Sequence, residues 1–184
     1  AARNKVKSSR CLQRSPAFAS LDETSVAKIV DVMEYTTTKP REALCKEGER
    51  ADKMFIVVSG ACDVSIAGAH VASLKELDVF GESALFPDAR GACVRSATVT
   101  AAAAKVSLLS LEKLELDALV ESGVLDHKCV QALAQVAERR RQQNMQLLDR
   151  AKQAHVLQRC PAFAGLPQET QDRVIGVMAY QTFS

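Results

Sequence analysis

The 184-residue chain predicts an α+β fold, an antiparallel β-roll or jelly-roll-like barrel with helices before and after it and a long connecting helix. Three observations carry this expectation. Between Ala43 and Ser110 the apolar residues come in short runs punctuated by glycine-containing turns. On both sides of that stretch the apolar spacing changes to three and four. A segment near the start also returns, little changed, near the end.

The elements follow in order. Leu12 to Glu34 reads as helical: Pro16 and Phe18 sit in a short entry element, and Ser20 or Asp22 caps the helix carrying Val26, Ile29, Val30 and Met33. From Ala43 the pattern turns to strands. Met54 to Val58 is a buried apolar strand ended by Ser59-Gly60, and Cys62, Val64 and Ile66 then alternate against Asp63 and Ser65. Ala67-Gly68-Ala69 makes a tight connection into Val71 to Leu74. Helical spacing resumes at Leu111, with Leu114 to Val120 as a short helix ended by Ser122-Gly123. His127 to about His155 reads as one long amphipathic helix with Val130, Leu133, Ala134, Ala137, Leu148 and Ala151 on its apolar face.

The repeat organises these elements. Leu12-Gln13-Arg14-Ser15-Pro16-Ala17-Phe18-Ala19-Ser20-Leu21 returns as Leu157-Gln158-Arg159-Cys160-Pro161-Ala162-Phe163-Ala164-Gly165-Leu166, an offset of 145 residues. Carried onward, Val32, Met33, Tyr35 and Thr37 meet Val177, Met178, Tyr180 and Thr182, making 12 identities in the 27 positions from Leu12 to Thr38. One repeat at so wide a spacing points to a duplicated domain rather than a solenoid. The expected division is a first domain over 1–126, with helices at 12–34, a roll at about 43–110 and a short helix at 111–120. A connecting helix follows over 127–156, and 157–184 open a second, truncated copy.

Composition narrows the function. A net charge of +2 does not argue for nucleic acid or an acidic membrane surface, and Arg3 to Lys7 and Arg139-Arg140-Arg141 read as a solvated tail and a solvated helix face. The longest run of aliphatic and aromatic residues, Met54 to Val58, is far too short to span a bilayer, and no secretory signal pattern opens the sequence. Six scattered cysteines without a C-x-x-C pair argue against structural zinc and fit a reducing, cytoplasmic location. His70, His127 and His155 stand in no nucleophile–base arrangement, so neither catalytic residues nor metal ligands are assigned, and no cofactor is expected.

The chemistry gathers at Phe80-Gly81-Glu82-Ser83-Ala84-Leu85 and, ten residues after Leu85, Arg95-Ser96-Ala97-Thr98-Val99. Gly81 lets the backbone turn and approach a ligand with no Cβ in the way. If a short helix begins there, the first-turn N–H groups around Ser83 and Ala84 suit an anion. Ionised Glu82 accepts hydrogen bonds and repels phosphate, so it suits a sugar hydroxyl. Arg95 can give two parallel charge-assisted bonds to a phosphate, which lysine would not reproduce. Taken singly, each residue is as well explained by a surface ion pair or an ordinary turn.

Together the two half-motifs resemble the phosphate-binding cassette of the cyclic-nucleotide-binding domain family, in which F-G-E-x-A-L leads into R-x-A-T-V. Glu47-Gly48, Ala51-Asp52 and Met54 to Gly60 add to the likeness, which covers roughly Leu12 to Val120 and the second start. The resemblance implies an eight-stranded β-roll that holds cGMP or cAMP through Gly81, Glu82, Ser83, Ala84, Arg95, Ser96 and Ala97. It also implies helices that move when ligand fills the cassette. The tandem arrangement resembles cGMP- or cAMP-dependent protein kinases or their regulatory subunits, so a second cyclic-nucleotide domain and a kinase catalytic domain or subunit are the implied partners.

Several points stay open at this level. Leu77 stands where the family carries a glycine, and because leucine resists positive φ that turn is expected to be built differently. The loop from Phe86 to Val94 looks long, and Arg90-Gly91-Ala92-Cys93-Val94 imitates the second half-motif, although Ala97 to Ala101 completes the pattern better behind Arg95. In the family a hydroxyl after the arginine goes with cGMP, so Ser96 leans that way; the alternative is a strand-edge serine bonded to water. The cap over the base falls to the long helix or to Phe163 or Tyr180. The competing function is a degenerate domain without a nucleotide ligand, serving as a structural or interaction module.

Overall fold

The computed structural model describes residues 2–15, 18, 21–87, 91–162 and 165–177. Among them eight strands form two four-stranded antiparallel sheets. One sheet runs β1 (Glu34–Thr38), β8 (Val106–Glu112), β3 (Lys53–Ser59), β6 (Val79–Phe80); the other runs β2 (Ala43–Cys45), β7 (Thr98–Ala101), β4 (Cys62–Ile66), β5 (Ala69–Leu74). Helices α1 (Ala2–Arg14) and α2 (Glu23–Val32) precede the roll, and α3 (Lys113–Glu121), α4 (His127–Arg159) and α5 (Gln168–Val177) follow it.

β3 and β8 are almost unbroken apolar runs because both faces of their sheet are covered. Side chains alternate across a strand, so Met54, Ile56, Val58, Leu109 and Leu111 pack toward the helices with Phe18, Ile29 and Leu133. Phe55, Val57, Val106 and Leu108 point the other way, into the roll, against Cys62, Phe80 and Val99. Each fully buried aliphatic side chain here contributes about 1.5–3 kcal/mol. These two strands are the fixed frame from which the site hangs.

Several boundaries differ from the sequence expectation. The stretch from Arg3 is not a tail but the start of α1, and the helical reading of Leu12 to Glu34 divides: Leu12 lies in the last turn of α1, and α2 begins at Glu23. Asp22 rather than Ser20 caps α2, its Oδ1 accepting from the Ser25 N–H at 2.7 Å; Ser20 lies outside the described residues. The roll begins at Glu34 rather than near 43, because β1 is a threonine-rich edge strand without apolar alternation. It ends at Glu112 rather than 110, so α3 starts at Lys113 and not at Leu111.

α4 is capped by Asp126, whose Oδ1 accepts from the Cys129 N–H at 2.7 Å, and its 33 residues extend about 50 Å. It ends at Arg159, as α1 ends at Arg14, and α5 occupies the positions of α2 at the same 145-residue offset.

The turn before the cassette is built with Leu77 in the left-handed region at φ +76°, contrary to the expectation that leucine would force another geometry. Its N–H donates to the Val57 carbonyl at 2.8 Å, while the Asp78 N–H donates to the Lys75 carbonyl at 3.0 Å. The Asp78 carboxylate takes the Lys75 N–H at 2.8 Å, and the leucine side chain packs on the helix-side core. Those contacts hold a conformation that costs about 1–2 kcal/mol outside glycine. No helix among the described residues is long and apolar enough to cross a membrane.

Candidate functional site

A cavity of about 440 Å³ opens between the 80–97 segment, β2, β4, β5, β7 and α4. One wall begins at Gly81, at φ +73° and ψ 11°, which turns the chain from β6 into a single 3-10 turn, Glu82–Ala84, shorter than the helix expected. A Cβ on Gly81 would run into Arg95 Nη1 and come within 3.2 Å of the Lys53 carbonyl oxygen. Glycine is therefore required twice here, by the backbone angle and by the close approach.

Arg95 is 6% exposed. Its guanidinium lies 5.5 Å from the centroid of Phe55, which stacks on Phe80 at 4.9 Å. Nη1 donates to the Gly81 carbonyl over a long 3.4 Å, and no carboxylate among the described residues forms an ion pair with it. The backbone holds it in place: its N–H donates to the Glu49 carbonyl and its carbonyl accepts from the Gly48 N–H, both at 2.9 Å. A buried cation so weakly paired has donors left over that chemically suit an anion. Arg95, Ser96 and Ala97 precede β7 rather than lying on it. Arg90 lies outside the described residues.

Glu82 is 1% exposed, and its two oxygens differ. Oε2 accepts from Arg140 Nη1 at 3.0 Å, whereas Oε1 is buried with no hydrogen-bond partner among the described residues. Burial pushes the carboxyl pKa up from its ordinary value, a shift that Arg140, and then Arg95 more weakly, oppose. Arg140 also donates to the Val79 carbonyl.

The arginine cluster on α4 is thus not a solvated face throughout. Arg139 is exposed, but Arg140 holds Glu82, and Arg141 Nη2 donates to the Phe86 carbonyl at 2.7 Å. Asn144 Nδ2 donates to Ser96 Oγ at 2.8 Å, so that serine bonds the helix. Arg140, Arg141 and Asn144 were missed as site residues. The signal was present: Leu133, Ala137, Arg140, Asn144 and Leu148 continue one helical stripe, and polar residues interrupt it where it crosses the cavity.

The structure brings Gly81, Glu82, Ser83, Arg95, Ser96 and Ala97 to one cavity, with Ala137, Asn144 and Leu147 of α4 opposite. Ala84 lies in the 3-10 turn. Phe163 and Tyr180 lie outside the described residues. No group of three or more His, Cys, Asp or Glu placed to hold a metal occurs among the described residues.

Comparison with known proteins meets this geometry. Residues 36–122 match the family model of the cyclic nucleotide-binding domain. The chain is 29% identical over 181 residues to a cGMP-dependent protein kinase of Eimeria tenella, covering 98% of this chain and 16% of that protein. It is 35% identical over 118 residues to a cAMP-dependent protein kinase regulatory subunit of Yarrowia lipolytica, covering 63% of this chain and 30% of that one. The chain therefore spans less than a third of either relative. In fold it resembles the regulatory domain of Toxoplasma gondii PKA crystallised with cAMP, with a TM-score of 0.58 and 21% identity, covering 95% of this chain and 58% of that one.

Proposed function

Through residues 36–122 this chain belongs to the cyclic nucleotide-binding domain family, and from that premise we propose that it is a regulatory module holding cGMP or cAMP in the cavity beside α4. The observation that carries the reading is the pair of incompletely satisfied buried charges on one wall: Glu82 with a free Oε1, and Arg95 without a carboxylate. A ribose hydroxyl donates to Oε1 while Arg140 keeps Oε2. The cyclic phosphate accepts from Arg95 and from backbone N–H groups of the turn after Gly81. The cavity's 440 Å³ lies within the range of small-molecule sites, about 300–1,000 Å³.

The output passes through α4. Ligand on Glu82 acts on the same carboxylate that holds Arg140, so a change in the cassette reaches the helix directly. In this reading α4 links the domain to a second copy, whose opening helix α5 repeats α2, within a cyclic-nucleotide-dependent protein kinase or its regulatory subunit. Ser96 favours cGMP, since a hydroxyl beside the arginine can accept from the guanine amine. The alternative of a domain without a nucleotide rests on Leu77 and on the long 86–94 loop; the left-handed Leu77 keeps the turn before Gly81 and so weakens the first of these grounds.

Calorimetric titration with cGMP, cAMP and 5′-GMP tests the reading. Saturable binding of a cyclic nucleotide, lost on Glu82→Ala, is the expected result. Absence of binding by all three would sink it.

A further inference from the structure

A second recess, of about 280 Å³, lies away from the cassette, between α1 and the β5–β6 turn. Lys7, Arg10 and Arg14 border it beside Cys11, with Val58, Ser59, Glu76 and Leu77 opposite. The four α1 residues share one helix face at i, i+3, i+4 and i+7. Cys11 anchors that face, its thiol donating to the Val57 carbonyl at 3.7 Å. Burial, and then Glu76, push its pKa up to about 11 while Arg14 opposes, so these charges face one another across the recess.

The charge balance is one-sided. Lys7, Arg10 and Arg14 are exposed, and none forms an ion pair among the described residues, whereas Lys5, on another face, pairs with Asp31 at 2.6 Å. Glu76 is the one carboxylate among the lining residues. α1 has no acidic residue in its 13 positions, although the chain's net charge is only +2. Three cations thus face one anion over a floor made of Val58 and Leu77.

We infer that this recess is a docking site for an acidic stretch of a partner protein. From Lys7 to Arg14 the helix rises about 10 Å, the length of roughly three residues of extended chain. A single inorganic anion would meet only part of such a row, and a peptide with spaced carboxylates meets all of it. The site is separate from the nucleotide cavity, so the inference stands or falls apart from the nucleotide reading.

Fluorescence anisotropy with a labelled decapeptide alternating glutamate and alanine, against its glutamine counterpart, tests it on the full chain. The acidic peptide binds, more weakly as salt rises, and the glutamine peptide does not. Lys7→Gln/Arg10→Gln/Arg14→Gln weakens binding by roughly tenfold, three exposed charge contacts each contributing little. An equally uncharging change elsewhere, Lys28→Gln/Arg139→Gln/Lys152→Gln, leaves it within about twofold if the contacts are local. Equal loss in both variants would reduce the effect to general charge and overturn the site. So would no binding of the peptide, or preference for vesicles of anionic lipid over it. Unchanged melting of the first variant checks that α1 remains folded.

Discussion

The cavity has two walls of different construction. The wall carrying residues 80–83 and 95–97 hangs from β3, β6 and β7 through buried side chains such as Phe55, Phe80 and Val99, and it places Glu82 and Arg95 where water is excluded. The α4 wall shares Leu133 and Ala137 with the core near its start, but beside the cassette it rests on Arg140, Arg141 and Asn144. Apolar burial is insensitive to what enters the cavity, whereas polar contacts to the cassette respond to the charge and hydrogen bonding of the groups they hold. One wall is therefore fixed by apolar packing, and the other is held against it by polar contacts.

The largest effects should come from the fixed wall. Phe80→Ala removes a buried side chain of β6 and should cost about 3–5 kcal/mol. Met145→Ala, on an exposed part of α4, should stay within about 0.5 kcal/mol by the same denaturant titration. Equal losses would remove the distinction between the walls. Arg95→Ala should weaken cyclic nucleotide binding about 100-fold, the scale of a lost charge-assisted pair; a change within twofold would show that phosphate is held elsewhere.

Arg140→Ala tests the coupling between the walls. It frees Oε2 of Glu82 and removes the cation that opposes the upward pKa shift. Ligand affinity should fall by only about three- to tenfold, as expected for a half-exposed ion pair, while hydrogen exchange along α4 increases. An α4 as protected as in the unchanged chain would break the coupling.

Titration sharpens the same point. In the proposed function a ribose hydroxyl donates to the ionised carboxylate, and burial raises the Glu82 pKa above its ordinary 4.5. Affinity should therefore climb as pH rises through that raised value and then level, with protons released on binding at the acid end. Stability of the empty fold runs the other way. The contribution linked to a raised carboxyl is present below 4.5 and lost as pH rises through the folded value. Affinity unchanged across that window would exclude Glu82 as the hydroxyl acceptor. The smallest effect is expected for Asn144→Ala, about a two- to threefold change in the cGMP to cAMP affinity ratio through the loosened Ser96 hydroxyl.

What could be read in advance divides along the same line. Phe80 to Ala97 drew notice because two short half-motifs lie in order within it and resemble a known cassette, and strand alternation tells which way β4 faces. β1 was not legible, because Glu34–Thr38 is an edge strand whose threonines show no apolar alternation. Leu77 misled for an energetic reason. Its intrinsic preference opposes positive φ, yet two backbone hydrogen bonds and side-chain packing supply more than that preference withholds.

By itself the sequence indicated the strand-rich roll, the helices on both sides and the 145-residue repeat, and its resemblance to a known family singled out the cassette residues. Each of these is local, set by side-chain period, turn chemistry and the spacing of a few polar groups. Only the tertiary structure decided what faces the cassette. Arg140 lies 58 residues from Glu82, and Asn144 lies 48 from Ser96. The stripe they share with Leu133, Ala137 and Leu148 is visible in the sequence, but on an isolated helix nothing shows that it meets the cassette. Their role depends on which face of α4 the apolar anchors Leu133 and Ala137 turn toward the roll, and packing sets that choice.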